Sequence, residues 1–246
     1  GKSYTSADLA FYTKGIHYPS LVITTVNTSI GSVLFPAMSK LQDDKDRLKR
    51  SVRKSISVST FVIFPLMALL AAVAPNLISW MLTDKWLPCV PFLQIACIYL
   101  AFYPINTANL QAIIALGRSD VYLKLNIIKK IIGVVCVLIS LPFGVTILAG
   151  SEIIVGIAAV TTNISANKKL LNYSAKDLFD DVYKSALLSI LMVVGISVLE
   201  HYLLLIISSS FMRMMIEILF GSGFYLIGSI ILKSEELNYV VKILKK

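Results

Sequence analysis

Long apolar stretches separated by short polar segments recur along the chain. A helix that crosses a bilayer needs about 20 mainly apolar residues. Seven stretches have this character, and we name them spans A to G: residues 16–38, 56–73, 92–116, 127–141, 145–164, 182–206 and 211–232. Span D reaches spanning length only if it begins near residue 123. The pattern predicts an all-α fold, a polytopic membrane helix bundle of about seven transmembrane helices, with a re-entrant span A or C as the alternative.

Composition supports a membrane protein. The chain is 57% hydrophobic and 15% charged, with a mean hydropathy of +0.79. Soluble domains are about 45–50% apolar and about 25% charged, so this chain departs from them in both respects. The net charge of +9 is also compatible with nucleic-acid binding, so the position of the basic residues decides between the two classes.

Basic residues fall mainly on one side of the predicted spans. Of the 23 Lys and Arg, 19 lie between A and B, between C and D or at the start of D, between E and F or at the start of F, or after G. Cytosolic segments carry the excess of Lys and Arg, so the N-terminus is predicted outside and the C-terminus in the cytosol. The densest block, residues 39–55, contains seven basic residues. We expect it to be a cytosolic flank lying along the membrane surface, and we expect no nucleic acid as a partner. The C-terminal segment, with Leu237, Val240, Val241 and Leu244 on one face, is predicted to be a basic interfacial helix.

Residues that could bind a metal or perform covalent catalysis are few. Cys89, Cys97 and Cys136 have no metal-ligand or redox spacing, and His17 and His201 lie far apart. We therefore predict no catalytic residue, no metal site and no cofactor, and we expect the protein not to be an enzyme.

Polar residues form stripes inside several spans. Span A carries His17, Ser20, Thr24, Asn27, Thr28 and Gly31 within about 100° of arc, and in span C Asn106 and Asn109 share one face. The stripe of span D is Tyr122, Asn126, Lys129, Gly133, Cys136 and Ser140, and that of span E is Glu152, Gly156, Ala159 and Asn163. Such stripes either line a cavity or allow close helix packing, and both readings remain open here.

Charged residues inside spans indicate either function or snorkelling to the surface. Lys129 is predicted to face a cavity or to snorkel to the cytosolic side, and Glu152 is a candidate for ion coupling. The two lie at different depths, so a direct pair is not expected. Arg213 and Glu217 are four residues apart in span G and are expected to pair.

Several stretches resemble a known transporter family. They are "LAFYTKGIHYPSLVITTVNTSIGSVLFPAMSKLQDDKDRLKRSVRKS", "LTDKWLPCVPFLQIACIYLAFYPINTANLQAIIALGRSD", "LKLNIIKKIIGVVCVLISLPFGV" and "NKKLLNYS". Their order and spacing are similar to those of the polysaccharide-exporting flippases of the multidrug/oligosaccharidyl-lipid/polysaccharide exporter superfamily, of the lipopolysaccharide, colanic-acid and teichuronic-acid type. The likeness covers residues 1–174.

The resemblance implies a two-lobed flippase of which this chain is most of the second lobe. Residues 1–174 would be its core, with spans A to E, and residues 175–246 would add two transmembrane helices and a basic cytosolic tail. The chain begins at Gly1 rather than Met, and we expect it to be a fragment whose partner is the missing N-terminal lobe.

The implied substrate is an undecaprenyl-diphosphate-linked oligosaccharide in the bacterial inner membrane, with membrane lipids as further partners. Cations suit a diphosphate, and amides and hydroxyls suit sugars. The candidates for the substrate path are therefore Thr24, Asn27, Asn106, Asn109, Arg118, Lys124, Lys129 and Lys130.

Two other functions remain as alternatives. A cation-coupled multidrug antiporter of the same superfamily would need intramembrane carboxylates, for which Glu152 and Glu217 qualify. A membrane glycosyl polymerase or ligase would also handle lipid-linked sugar, but such enzymes usually have a large outer loop, whereas the outer loops predicted here are short.

Overall fold

The computed structural model describes residues 5–244, without the side chains of residues 27, 29–36, 243 and 244. Over this part of the chain the elements are helical. They are α1 (Ser6–Ser39), α2 (Lys45–Leu82), α3 (Val90–Ala101), α4 (Tyr103–Ala115), α5 (Ser119–Ser140), α6 (Val145–Leu171), α7 (Ala175–Ile206), α8 (Ser210–Ile231) and α9 (Glu235–Leu244). Short 3-10 turns at Asp84–Cys89 and Leu141–Phe143 join α2 to α3 and α5 to α6.

The predicted all-α membrane bundle is confirmed. Within the described residues, six helical segments are long and apolar enough to cross a bilayer, and they correspond to spans B to G. They are Lys45–Leu82, Asp84–Ala115, Ser119–Phe143, Val145–Leu171, Ala175–Ile206 and Ser210–Ile231. Span A lies inside α1, which runs unbroken for 34 residues, or about 51 Å.

The basic block, predicted as a cytosolic flank along the membrane surface, is not an element of its own. From Lys45 it is the first part of α2, and Asp44 caps that helix by accepting a hydrogen bond from the Arg47 N–H. Leu48, Val52 and Ile56 are completely buried. They pack in one cluster with Tyr173 beyond α6, so their helical spacing reflects contact with protein rather than with lipid.

Span C is two helices. Phe102 separates α3 from α4, and Pro104 is the second residue of α4. A proline is tolerated in a first helical turn because its missing N–H has no partner there in any case. The helix of span C is therefore interrupted near its middle, where the sequence pattern had indicated a single apolar run.

Helix α2 lies at the centre of the bundle. One buried cluster joins α2 to α1, α4 and α6, a second joins it to α1 and α3, and a third joins it to α7 and α8. In contrast, α5 packs on α6 and α4 and exposes most of its apolar side chains, among them Leu123, Ile131, Val134 and Leu138.

Helix α9, predicted to be an interfacial helix, packs against α2. Ser57 of α2 hydrogen-bonds to Glu236, and the Lys54 ammonium lies 3.9 Å from the centre of the Tyr239 ring. Leu237 and Val240 pack against the cluster that joins α2, α7 and α8. The predicted apolar face is thus used at least partly inside the protein, while Val241 remains exposed.

Candidate functional site: a polar relay across three helices

A chain of polar side chains joins α5, α6 and α4. The Lys129 ammonium on α5 donates a hydrogen bond of 3.3 Å to Oδ1 of Asn163 on α6. The amide nitrogen of Asn163 in turn donates to Oδ1 of Asn106 on α4, at 2.8 Å. Asn163 is fully buried and Lys129 is partly buried. A cation is therefore held inside the apolar bundle by an amide, and the relay fixes the orientation of both asparagines.

A second asparagine pair lies one helical turn further along the same two helices. Asn167 of α6 donates to Oδ1 of Asn109 at 2.6 Å and to its backbone carbonyl at 3.1 Å, and Asn109 donates to the carbonyl of Ile105. Both asparagines are completely buried. The structure thus places Asn109 as a cross-link between α4 and α6, while its assignment to a substrate path stays a prediction.

The four basic candidates near the start of α5 do not converge on one face. Arg118 makes two hydrogen bonds of 2.9 Å to the carboxylate of Asp120, and both residues are exposed. At 100° per residue, Lys129 and Lys130 lie about 140° and 240° around α5 from Lys124. Lys124 and Lys130 are exposed, and Lys129 alone of the four turns towards α6. Of these four candidates, Lys129 is therefore the one whose ammonium group lies inside the bundle.

Part of the polar stripe of α1 lies on the surface of the chain. Thr24 and Thr28 are exposed, and the Thr28 hydroxyl donates to the Thr24 carbonyl at 2.7 Å. The side chain of Asn27, the other candidate on this helix, lies outside the described residues, as does Gly31. Thr24 and Thr28 can therefore line a cavity or contact another segment of protein.

Glu152 lies on α6 within electrostatic range of Tyr12 on α1 and Tyr99 on α3. It is partly buried. Lys129 contacts Asn163, 11 residues further along α6, so Lys129 does not pair with Glu152, as the sequence predicted. The ion-coupling candidate and the candidate for phosphate binding occupy separate positions in the bundle.

Comparison with known proteins gives consistent matches. Residues 1–91 match the family described as "Polysaccharide biosynthesis protein". An "Uncharacterized membrane protein in cps region" of Klebsiella pneumoniae is 33% identical over 107 residues, which are 44% of this chain and 22% of that protein. The "Lipopolysaccharide biosynthesis protein WzxC" of Escherichia coli (strain K12) is 29% identical over 115 residues, which are 47% of this chain and 23% of that protein. Among solved structures, the "Lipid II flippase MurJ, inward closed conformation" superposes with a TM-score of 0.75 and 21% identity, over 93% of this chain and 48% of that one.

By sequence, parts of the chain are thus similar to polysaccharide and lipopolysaccharide biosynthesis proteins. The superposition shows that the bundle shares the fold of the matched part of the MurJ chain, and the apolar helices together with the relatives support a multi-pass membrane protein. The chain spans about a quarter of the length of the curated relatives it matches and about half of MurJ.

The structure also shows a polar clamp between α2 and α7 that sequence reasoning missed. The Arg53 guanidinium donates to Asp181 at 2.6 and 2.9 Å, and Asp177 pairs with Arg53 and Lys49 at 3.4 and 3.2 Å. Lys49 also donates to the backbone carbonyl of Asn172, which ends α6 in a left-handed conformation. The sequence does contain a pattern that could have predicted this clamp, because two cations four residues apart on α2 match two carboxylates four residues apart on α7.

The expected pair between Arg213 and Glu217 is wrong. Arg213 instead donates to Glu200 on α7, at 3.3 Å. Glu217 is completely buried and accepts a hydrogen bond from the Asn76 amide on α2, at 3.0 Å. Spacing on one helix did not predict the partners because neighbouring helices supply groups at the same depth.

Proposed function

We propose that this chain forms the second lobe of a flippase that moves lipid-linked oligosaccharides of the undecaprenyl-diphosphate type. The main observation behind this proposal is the Lys129–Asn163–Asn106 relay, which holds a cation and two amides inside a bundle with a flippase fold. A cation with amide neighbours suits a diphosphate followed by sugar hydroxyls. Relatives named for lipopolysaccharide and teichuronic acid biosynthesis support this substrate class.

The proposal includes a partner lobe. Helix α5 exposes many apolar side chains, and the polar stripe of α1 is exposed at Thr24 and Thr28. A first lobe facing these helices would complete a central cavity, and the two lobes would rock to open it alternately to each side. The protein would lie in the bacterial inner membrane and act by transport, without covalent catalysis.

A cation-coupled multidrug antiporter is the second candidate. The partly buried Glu152 beside Tyr12 and Tyr99 favours it, since intramembrane carboxylates serve as coupling sites in transporters. The two candidates differ in cargo: the antiporter would move small cationic compounds and would not need a phosphate-binding cation such as Lys129.

The deciding experiment uses the intact two-lobed protein in liposomes. A fluorescent undecaprenyl-diphosphate oligosaccharide is placed in both leaflets, and the label that remains shielded from a soluble quencher is followed over time. We expect the protein to exchange the lipid between leaflets, and we expect a neutral undecaprenyl lipid not to be exchanged. Exchange of small cationic drugs with no movement of the diphosphate lipid would instead establish the antiporter.

Orientation is tested separately in intact cells. In a protein whose three native cysteines are replaced, a cysteine at the exposed Asp43 should be protected from an impermeant thiol reagent, and one at the exposed Asp84 should be labelled. The physical basis is the excess of Lys and Arg on the side of residue 43. Labelling at 43 and protection at 84 would reverse the proposed topology.

A further inference from the structure

Three polar side chains from three helices meet at one depth near one end of the bundle. Asn76 lies six residues before the end of α2, Glu200 lies six residues before the end of α7, and Glu217 lies seven residues after the start of α8. At 1.5 Å per residue, each is about 9–11 Å inside its helix end. We name Asn76, Glu200, Arg213 and Glu217 the outer cluster.

The outer cluster brings two carboxyl groups together. The amide nitrogen of Asn76 donates to Oε1 of Glu217 at 3.0 Å and to Oε1 of Glu200 at 3.1 Å. These two oxygens therefore lie within about 6 Å of each other, since they share one donor atom. Arg213 donates to the same Glu200 oxygen at 3.3 Å and to Ser210 at 3.3 Å.

The charges of the outer cluster do not balance when both carboxyls are ionised. Arg213 supplies one positive charge from α8, and Glu200 is the carboxylate that faces Glu217 from α7. Helix α2 contributes the neutral Asn76, because no charged residue occurs between Lys54 and the end of that helix. Two carboxylates and one guanidinium leave a net charge of −1 inside an apolar bundle.

The hydrogen bonds are incomplete in the same place. Within the described part of the chain, Oε2 of Glu217 and Oε2 of Glu200 are buried and have no hydrogen-bond partner. Glu217 itself is completely buried. Among the described residues, each of the two carboxyl groups accepts hydrogen bonds only at Oε1, and the single guanidinium does not balance two negative charges. A buried carboxylate that is not fully compensated is destabilised by several kcal/mol, and binding a proton removes its charge and creates a donor.

We propose that Glu200 and Glu217 form a proton-binding site that holds one exchangeable proton at neutral pH. The proton resides on Glu217, which is completely buried. The Glu217 hydroxyl then faces the carboxylate of Glu200, which stays ionised beside Arg213. The cluster is then electrically neutral and joins α2, α7 and α8. This site is distinct from the substrate path proposed above and does not depend on which cargo the protein moves.

A route to this site is visible in the structure. A groove of about 820 Å³ lies between α2, α3 and α7, and its lining includes Pro75, Ser197 and Glu200. Glu200 therefore reaches the groove while Glu217 lies behind it. A proton exchanges between the groove and Glu217 by way of Glu200, without any opening of α8.

A proton suits this site better than a sodium ion. A hard cation such as sodium is held by several oxygen ligands at once. Here Oε1 of each glutamate accepts from the Asn76 amide, Oε1 of Glu200 also accepts from the Arg213 guanidinium, and the guanidinium repels a second cation. The chemistry of the neighbours thus favours hydrogen bonding over metal coordination.

The test is infrared spectroscopy of the intact protein in lipid nanodiscs. At neutral pH we expect the carbonyl band of a protonated carboxyl group, shifted by deuterium exchange and lost in Glu217→Gln. The matched control is Glu235→Gln, which removes an exposed carboxyl on α9 and should retain the band. Absence of the band at neutral pH, or its retention in Glu217→Gln, would overturn the proposal, as would a band removed by sodium but not by potassium at constant pH.

A second measurement needs no variant. Dicyclohexylcarbodiimide modifies protonated carboxyl groups in apolar surroundings, so peptide mapping of the wild-type protein should find the adduct at Glu217 or Glu200 and not at Glu235. Labelling of neither outer-cluster residue at neutral pH would contradict the proposal. Both measurements read protonation directly, so they keep their meaning even if the protein moves no lipid-linked oligosaccharide.

Discussion

Lys129 on α5 is joined to Asn163 on α6 by a hydrogen bond of 3.3 Å, between the ammonium and the amide oxygen. The sequence left two positions open for this lysine, at a cavity or at the cytosolic surface. In the structure its ammonium group turns towards a fully buried asparagine rather than to the exterior. That geometry makes Lys129 the cation whose removal is most informative.

Lys129→Ala should lower the rate of lipid-linked oligosaccharide translocation by about tenfold or more. A hydrogen bond to a charged group contributes about 1.5–3 kcal/mol, and 1.4 kcal/mol corresponds to a factor of ten. Lys130→Ala, at the next and exposed position, is the matched control and should translocate normally. Equal activity of both variants at equal membrane levels would remove Lys129 from the substrate path.

Asn109→Leu should destabilise the protein rather than block a path. It removes the side-chain acceptor of the buried Asn167 amide, which then keeps only its longer bond of 3.1 Å to the backbone carbonyl of residue 109, at a cost of about 1–3 kcal/mol. The midpoint of thermal unfolding in detergent should fall. The double variant Asn109→Leu with Asn167→Leu should recover part of the loss, since no buried polar group is then left unpaired. Wild-type stability with lost transport would instead place Asn109 in the path.

Arg53→Ala should loosen the contact between α2 and α7. The Asp181 side chain is 8% exposed and would keep the Tyr173 hydroxyl, 3.2 Å away, as a neutral donor. Burial, together with the Asp181 carboxylate, raises the pKa of the Tyr173 phenol, so it stays protonated and donates at physiological pH. We expect a loss of about 1–3 kcal/mol in stability, measured by thermal unfolding.

The control for this prediction is Arg50→Ala. Within the described residues Arg50 forms no ion pair and is exposed, so its removal should change stability by about 0.5 kcal/mol or less. Arg53→Lys should fall between the two, because an ammonium keeps the charge and loses the planar fork that reaches Asp181 through two nitrogens. Equal midpoints for the two alanine variants would show that the clamp contributes nothing.

Gly15→Ala should disrupt the contact of α1 with the start of α3. A Cβ at residue 15 would lie 2.7 Å from the Cys89 carbonyl oxygen and 2.7 Å from Cβ of Phe92, so backbone would have to move. We expect a loss of about 1–3 kcal/mol. Gly133→Ala on α5 is the control, since a Cβ there meets nothing within 4 Å. It should be neutral or stabilising by up to about 1 kcal/mol, and a loss at 133 equal to that at 15 would refute the packing argument.

Hydrophobic patterning predicted the helices well, because a bilayer requires a minimum apolar length and six of the seven predicted spans, B to G, correspond to described helical segments that satisfy it. Helix ends were less predictable. Lys45 and the residues that follow look like a separate polar segment, yet they continue α2, since Leu48, Val52 and Ile56 find protein partners around Tyr173. Mean hydropathy averaged over this segment is low because of its many charged residues, so it does not reveal the three buried positions.

The polar groups of the site were predicted as residues but not as partners. Asn106, Lys129 and Asn163 were each singled out from stripes on separate helices, and their meeting depends on how those helices are aligned in depth. The pairing of Arg213 was predicted incorrectly for the same reason. Glu200 of α7 lies closer to it than the sequence neighbour Glu217 does, and single-helix spacing carries no information about an adjacent helix.

Helices α2 and α7 are fastened to each other near both ends. Arg53 holds Asp181 at one end, and Asn76 holds Glu200 at the other. The two attachment points are about 30 Å apart along the helices. Two contacts this far apart oppose both sliding and rotation of one helix against the other, so we expect α2 and α7 to move as one unit. We therefore expect relative displacements within this bundle to fall on helices outside the α2–α7 pair, such as α5, which packs on α6 and α4.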